Sequence, residues 1–298
     1  MPPRSAFTLH SALEGPMDHT TLIDVAALRG RLSDPLTRVI DCRFELGHPE
    51  VGRALYLKGH IPGALYAHLD EDLAAPRTPW SGRHPLPDPT ALGETFSRFG
   101  IDEQVQVVAY DDSGGAYAAR LWWLLRWLGH PRVAVLDGGF TAWKAAGLPA
   151  SIPAASVASR PFQARPDPSR YVSGDDLGEL LAQQRCILLD ARSSERFEGR
   201  VEPLDPRAGH IPGAQNFHFA RNLDADGRFL PPQILAEQFR RALRGRSAET
   251  VIAMCGSGVT ACHNLLALEI AGLGGGRLYP GSFSEWSRDA ARPIATGP

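Results

Sequence analysis

Three motifs in the first half of this chain return, in the same order, in the second half. They pair residues 59–64 with 209–214, residues 39–43 with 188–192, and residues 136–143 with 279–286. The first pair is identical, Gly-His-Ile-Pro-Gly-Ala, and the second pair is an apolar run that ends in an acid with an arginine two positions later. Motifs that recur in one order at a nearly constant spacing indicate a duplicated structural unit. The chain is therefore predicted to fold as two similar domains.

Each half alternates short apolar strands with helical segments. Residues 105–110 and 132–136 are predicted strands of the first half, and 117–128 is a predicted helix between them. The second half has a predicted strand at 250–254 and a predicted helix at 259–271. This alternation favours parallel strands joined by crossover helices. We predict an α/β fold of two tandem domains, each with a mainly parallel central sheet flanked by helices.

The chain length of 298 residues allows each domain its own core. We expect an N-terminal extension at 1–17 that is disordered or variable, a first domain at 18–149, a linker at 150–170 and a second domain at 171–298. The linker is rich in Pro, Ala and Ser and lacks periodicity, as is typical of a segment that runs over the surface. Translation from Met1 and from Met17 both remain open.

Charge and cysteine content exclude several classes of function. A net charge of −2 gives no global basic field for nucleic acid or an anionic membrane. The sequence contains no apolar run of about 18 residues and no signal-peptide core. Its 4 cysteines form no Cys-x-x-Cys pair and no Cys/His spacing suited to zinc. We expect a cytoplasmic protein without a metal, a cofactor, a nucleic-acid partner or a membrane partner.

The segment that says most about function is 255–262, Cys-Gly-Ser-Gly-Val-Thr-Ala-Cys, which joins the predicted strand at 250–254 to the predicted helix after it. A free cysteine after a strand is most often a small buried apolar residue. Here Gly256 and Gly258 favour a loop whose amides fold around an anion, next to a helix N-terminus that favours a thiolate. Cys255 is therefore a candidate nucleophile.

Two further predictions concern this loop. Its amides from Gly256 to Thr260, including those of Gly258 and Val259, are expected to stabilise anionic sulfur. Cys262 lies two helical turns on and is expected to be packed rather than reactive.

The repeat supplies an internal control for the candidate nucleophile. In the first half the position of Cys255 falls on Asp111, followed by Asp112-Ser113-Gly114-Gly115. This loop has two carboxylates and no thiol, so it is expected to repel an anion. Thiol chemistry is predicted for the C-terminal copy alone.

The two tandem halves, the two His-Ile-Pro-Gly-Ala segments and the 255–262 loop resemble the rhodanese superfamily, and within it most closely the 3-mercaptopyruvate sulfurtransferases. The resemblance covers residues 20–292 apart from the linker, and its loop motif is highly specific. It implies two similar α/β domains, an inactive first domain and a site near their interface. It also implies transfer of a sulfane sulfur through a persulfide on Cys255, in two displacement steps without a metal.

The residues after the cysteine bear on the choice of donor. Thiosulfate-preferring relatives carry basic residues there, whereas Gly256, Ser257 and Gly258 are neutral. The predicted donor is therefore 3-mercaptopyruvate, which presents one carboxylate and leaves as pyruvate.

An arginine suits the carboxylate of this donor because its planar fork binds such a group through two hydrogen bonds. Arg192 stands at the family's substrate-arginine position and is predicted to hold the carboxylate. Arg196 or Arg200 is predicted to complete the clamp, against the alternative of solvated ion pairs with nearby glutamates.

The resemblance also implies a proton relay. The family places a loop serine, here Ser257, and the first-domain His-Ile-Pro-Gly-Ala histidine, here His60, near the cysteine. A histidine that acts through a hydroxyl suits proton transfer near neutral pH. The acid of this relay stays open, since Glu50 is no clear match. His210 in the second copy is expected to be structural.

Alternative functions remain at this point. Thiosulfate sulfurtransferase activity is the nearest, and a non-enzymatic sulfur carrier or persulfide-sensing module is a second. A phosphatase of related fold would need an arginine six residues after the cysteine, where Ala261 stands. The acceptor is open among cyanide, thioredoxin, glutathione and a biosynthetic carrier, and so is the oligomeric state.

Overall fold

A computed structural model describes residues 18–298, and the predicted extension at 1–17 lies outside the described residues. The strands of the described chain are β1 Leu22–Ile23, β2 Thr37–Asp41, β3 Leu65–Tyr66, β4 Gln106–Tyr110, β5 Val133–Leu136, β6 Ile187–Asp190, β7 Gln215–Asn216, β8 Val251–Met254 and β9 Arg277–Leu278. Its α-helices are α1 Val25–Arg31, α2 Glu50–Lys58, α3 Leu69–Asp72, α4 Pro89–Arg98, α5 Ala118–Trp127, α6 Gly139–Ala145, α7 Gly174–Ala182, α8 Ser194–Phe197, α9 Pro232–Leu243, α10 Thr260–Ile270 and α11 Ser282–Trp286. Short 3₁₀ helices cover Pro168–Arg170, Phe219–Asn222 and Ala248–Thr250.

The strands form two parallel sheets, one in each half of the chain. The first sheet has the order β1-β5-β4-β2-β3 and the second β7-β6-β8-β9. The central strands β4 and β8 are buried along their whole length because helices cover both faces of each sheet. The predicted α/β fold of two tandem domains with parallel sheets is confirmed.

Two helices that are buried on nearly every side connect the domains. All but one of the ten residues of α5 are buried, and α10 is buried from Ala261 to Leu268. A helix whose apolar residues are not confined to one face must be covered on every side. These two helices pack against each other, and one continuous apolar cluster contains residues of both sheets. Each of these helices follows the loop after the central strand of its own domain, so both loops lie at the domain junction.

The segment predicted as the linker runs along the first domain. Ser151 exchanges backbone hydrogen bonds with His60, and the N–H groups of Arg165 and Asp167 donate to the carbonyls of Leu128 and Trp127.

Within residues 18–298, no helix has both the length and the apolar character that crossing a membrane requires.

Candidate active site at the domain junction

The thiol loop links β8 to α10 and folds around Cys255. The N–H of Gly258 donates to Cys255 Sγ at 3.2 Å, and the N–H of Cys255 donates to Ser282 Oγ at 3.1 Å. Gly258 has φ +79°, and a Cβ there would lie 2.5 Å from the carbonyl oxygen of Pro280. Glycine is required at this position, as the sequence predicts for a loop that turns its amides inward.

Cys255 lies at a cavity of about 240 Å³ that both domains line. Leu46 and Tyr117 come from the first domain, whereas His218 comes from the second. The predicted loop residues line it as well: Gly256, Ser257, Val259 and Thr260. Cys255 itself is only 2% exposed, so a donor must enter the cavity to reach its sulfur.

Two guanidinium groups lie beside the thiol. A Cβ on Gly256 would be 2.6 Å from Arg83 Nη2 and 3.3 Å from Arg196 Nη1, so both groups face the residue next to Cys255. Two carboxylates of the protein also bind these guanidiniums. Asp205 pairs with both, and Glu202 accepts from Arg196 Nη2 at 2.7 Å. Arg196, which the sequence analysis names as a candidate for the clamp, therefore faces the thiol loop, and so does Arg83, which the sequence analysis did not identify.

Arg192 lines the cavity, but protein groups occupy its guanidinium, so its contact with the substrate carboxylate stays a prediction. Its Nε and Nη2 donate to the carboxylate of Asp190 at 3.0 and 2.7 Å. Nη2 also donates to the Gly209 carbonyl at 2.8 Å, and Nη1 donates to Glu202 at 3.3 Å. The first domain repeats this arrangement with Arg43 on an aspartate and a glycine carbonyl, which identifies a structural anchor of the duplicated fold.

Unlike Arg192 and Arg196, Arg200 is absent from the residues that line the cavity. Its side chain is 57% exposed, and it pairs with Glu198 at 2.7 Å and Glu195 at 3.9 Å. This is the solvated ion pair of the alternative interpretation.

His60 is not the histidine at the serine, so the family-based assignment is corrected. Its Nδ1 lies 2.8 Å from the Tyr56 carbonyl oxygen, and its ring stacks on Tyr56 at 4.0 Å between centroids. His210 makes the matching contacts with the carbonyl and ring of Phe197, at 2.9 and 3.8 Å. Both histidines thus hold their own repeated segments, because the duplicated motif serves the fold.

Ser257 contacts His84 instead. His84 Nδ1 lies 2.7 Å from Ser257 Oγ, and its Nε2 lies 3.1 Å from Asp70 Oδ1. Burial lowers the pKa of His84, although Asp70 partly opposes this shift. The hydrogen bond with His84 lowers the pKa of Asp70. The chain of groups is therefore a carboxylate, a neutral imidazole and a hydroxyl beside the thiol, which is the arrangement of a proton relay.

One reason explains why the sequence analysis did not identify Asp70, Arg83 and His84. They belong to none of the repeated motifs, and the loop that carries Arg83 and His84 has no helical or strand period. Contact with the second domain places this loop, since the N–H of Arg83 donates to Ser284 Oγ at 2.9 Å. The feature of the sequence that could have indicated this part of the site is the Arg83-His84 pair in the first half, which has no repeated counterpart in the second.

The loop of the first domain differs from the expectation of repulsion. The side chain of Asp111 fills the ring of amides itself, and its two oxygens accept four N–H groups at 2.8–2.9 Å, those of Ser113, Gly115, Tyr117 and Ala118. This loop therefore binds an anion, but the anion is part of the chain.

Cys262 is a buried thiol beneath the active loop. It donates to the Gly258 carbonyl at 3.3 Å, and burial raises its pKa to about 12. It is thus protonated near neutral pH, in line with the predicted packing role. Among residues 18–298, no group of three or more His, Cys, Asp or Glu side chains is arranged to hold a metal ion.

Residues 24–146 and 173–289 each match the family model described as Rhodanese-like domain. A probable 3-mercaptopyruvate sulfurtransferase of Pseudomonas aeruginosa is 51% identical over 283 residues, which are 94% of this chain and 100% of that protein. A putative thiosulfate sulfurtransferase of Mycobacterium tuberculosis is 40% identical over 93% of this chain and 97% of that one.

Solved structures agree with these matches. The structure of a protein from Escherichia coli, described as a 3-mercaptopyruvate sulfotransferase with the rhodanese fold, superposes with a TM-score of 0.78 at 31% identity. It covers 90% of this chain and 100% of its own.

Proposed function

This chain belongs to the family of rhodanese-like proteins and is a sulfurtransferase, and from that premise we propose that it takes sulfur from 3-mercaptopyruvate onto Cys255. The sulfur then passes to a thiol or to cyanide, and the carbon skeleton leaves as pyruvate. A non-enzymatic carrier or sensing module is set aside, because the family assignment and the names of the relatives are those of enzymes.

Contacts of the Cys255 sulfur support its role as the nucleophile. It accepts the N–H of Gly258, and it lies close to the N-terminus of the 11-residue helix α10. Amide dipoles and a helix N-terminus both favour anionic sulfur. The first displacement forms an S–S bond from Cys255 to the donor sulfur and breaks the C–S bond of the donor.

Arg83 and Arg196 are proposed to hold the carboxylate of the donor. Carboxylates of the protein already occupy Arg83 Nη1 and Arg196 Nε and Nη2, whereas Arg83 Nη2 and Arg196 Nη1 face Gly256. The Asp205 and Glu202 side chains fix both guanidiniums and thereby lower the entropic cost of binding a planar anion.

The single observation that carries the choice of donor is the 2.7 Å contact between Ser257 Oγ and His84 Nδ1. Cleavage of the C–S bond leaves an enolate, which needs a proton on carbon to become pyruvate. Ser257 and His84 are proposed to take the proton of the donor thiol and return it to that carbon, so the persulfide forms without net proton uptake. Thiosulfate instead releases sulfite and needs no such transfer.

In the second displacement an acceptor thiolate or cyanide attacks the outer sulfur and frees the Cys255 thiolate. Thioredoxin, glutathione and cyanide are the proposed acceptors. The first two attack through a thiolate sulfur, and cyanide attacks through its carbon. The described cysteines are free thiols, as is usual in a reducing compartment, and we propose a cytoplasmic location.

Thiosulfate is the second candidate donor. Its sulfonate oxygens also suit the guanidiniums of Arg83 and Arg196, and one relative at 40% identity carries the name of a putative thiosulfate sulfurtransferase.

The experiment measures pyruvate or sulfite release under steady state with each donor, next to mass spectrometry of the peptide that contains Cys255. We expect a higher kcat/KM for 3-mercaptopyruvate and the gain of one sulfur atom on that peptide. The Cys255→Ser protein is the control and should show neither. A higher kcat/KM for thiosulfate would reverse the assignment of the donor, and no added sulfur with either donor would refute the persulfide mechanism.

A further inference from the structure

Arg120 is the least expected side chain in the domain junction. It lies in the middle of α5, between fully buried apolar residues, and its own exposed fraction is 0%. Burial of a guanidinium costs several kcal/mol unless a counter-charge or a full set of hydrogen bonds offsets it. Arginine stays protonated at any physiological pH, so this side chain is a permanent charge within the core.

Arg120 has no carboxylate within ion-pair distance among residues 18–298. Its partners are four main-chain carbonyls, at 3.2 Å for Gly258 and at 3.3–3.4 Å for Leu73, His84 and Pro85. Burial lowers the pKa of Arg120, and the thiols of Cys262 and Cys255 act in the opposite direction. The ionisable side chains of the second domain that act on its charge are thus two thiols, one of which belongs to the proposed nucleophile.

The carbonyls that Arg120 binds belong to both halves of the site. Gly258 carries the N–H that contacts the Cys255 sulfur, and His84 carries the imidazole that contacts Ser257. One guanidinium from the first domain therefore fastens the thiol loop of the second domain to the segment that supplies the proton relay.

The matching contact in the other half of the molecule uses a neutral group. His263 on α10 reaches the carbonyl of Gly114 in the first-domain loop at 3.0 Å, as Arg120 on α5 reaches that of Gly258. Burial lowers the pKa of His263 to about 4, so its ring is uncharged at neutral pH. A permanent cation thus faces the loop whose sulfur changes charge during turnover, and a neutral ring faces the loop whose anion is fixed.

We infer that Arg120 is a positioning residue of the sulfur-transfer reaction: its buried charge favours anionic sulfur on Cys255, and its hydrogen bonds hold Gly258 and the His84 segment in register. This inference rests on the proposed function, since it assumes that Cys255 carries the sulfur. A single residue, Gly258, contacts both the guanidinium and the Cys255 sulfur, and in this buried environment the interaction between charges is much stronger than in water. It would favour the thiolate before the first displacement and the persulfide anion after it.

The test compares Arg120→Gln, which keeps donors and loses the charge, with Arg120→Lys, which keeps the charge. Arg126→Gln is the matched control, because Arg126 is on the same helix and also faces the second domain, at 3.8 Å from Glu269. The measurement is the rate of alkylation of Cys255 by iodoacetamide from pH 5 to 10, followed by mass spectrometry. In the Gln variant we expect alkylation at pH 7 to slow by about tenfold or more and the midpoint to move up by about one pH unit. The Lys variant should lie close to wild type, and so should the Arg126 control.

Equal profiles for Arg120→Gln and Arg126→Gln would overturn the inference. If Arg120→Gln does not fold, the melting temperatures of Cys255→Asp and Cys255→Asn at pH 8 decide instead. A fixed anion beside the buried cation should make the Asp protein melt higher, and an equal or lower value would overturn the inference. Wild-type protein that gains no sulfur on Cys255 from either donor would refute the proposed function, whereas wild type that gains it while Arg120→Gln resembles the control would refute this inference alone.

Discussion

The loop after β4 and the loop after β8 have the same origin and use their amides in opposite ways. In the first domain the Asp111 carboxylate occupies the ring of amides and accepts four of them. In the second domain Cys255 accepts one amide, that of Gly258, and the loop borders a cavity. The first loop therefore binds a carboxylate of its own, whereas the second borders the cavity in which we propose that a sulfur anion forms.

The comparison extends to what surrounds each loop. Arg83, His84 and Asp70 all come from the first domain, yet they serve the loop of the second. The first domain therefore contributes side chains to the candidate active site of the second.

Replacement of the thiol should have the largest effect. Cys255→Asp makes the second loop resemble the first, and we expect pyruvate release to fall by about 10⁴-fold or more because the nucleophile is gone. The reverse change, Asp111→Cys, should add no activity, since His263, which contacts that loop, bonds the Gly114 carbonyl rather than a hydroxyl that could relay a proton. Pyruvate formation by an Asp111→Cys, Cys255→Ser protein would show that the loop alone suffices and would break the comparison.

Loss of the relay histidine should come next. His84→Ala should lower kcat with 3-mercaptopyruvate by about 10²–10³-fold and affect thiosulfate much less. The relay needs neutral His84, and burial lowers its pKa from 6.5. The kcat of wild type should therefore rise with pH through a value below 6.5 and then level off. His60→Asn is the control, and a loss of kcat in the folded control as large as that of His84→Ala would restore His60 to the relay.

Removal of the Asp111 carboxylate from the first-domain loop should lower the free energy of unfolding. Asp111→Ala leaves four amides without their carboxylate, and we expect unfolding free energy to fall by about 3 kcal/mol, measured in urea. An anion such as sulfate should recover part of this loss by entering the vacated amides. Unchanged stability would mean that the carboxylate is not what holds this loop.

Removal of one guanidinium at the thiol should have a smaller effect. Arg83→Met should raise KM for 3-mercaptopyruvate by about 10–100-fold, the value of a charge-assisted hydrogen bond. Arg200→Met, which alters an exposed ion pair, should stay within about twofold of wild type. Equal KM values for the two variants would show that Arg83 does not bind the donor.

The smallest effect is expected at Ser282, the second-domain counterpart of Gly139. Ser282 has φ +52° where Gly139 has φ +56°, and its hydroxyl accepts the N–H of Cys255. Ser282→Gly relieves left-handed strain of about 1 kcal/mol and loses a hydrogen bond of similar strength, so stability should change by less than about 1 kcal/mol. Urea unfolding of Ser282→Gly against Ser282→Ala measures this balance. A destabilisation of Ser282→Gly that exceeds that of Ser282→Ala would show that strain is not a factor there.

The sequence by itself determined the fold and the thiol loop. Short apolar strands with helices between them predict a parallel sheet, and the repeat predicts two of them, since both patterns depend on local periodicity. The predicted strand at 250–254 differs from β8 by one residue at its start, and the predicted helix at 259–271 differs from α10 by one residue at each end. The loop between them is local too, so Cys255 and its glycines stand out in the sequence.

Only the tertiary structure decided which side chains gather around the thiol. Arg192 and His60 lie in repeated motifs and therefore stand out in the sequence. In both repeats, however, these positions make contacts that hold the fold. Arg83 and His84 lie in a loop without periodicity, 171 or more residues before Cys255, and packing between the domains brings them to it. Local sequence patterns encode hydrogen bonding and burial within an element, whereas contact across a domain junction depends on how two finished surfaces meet.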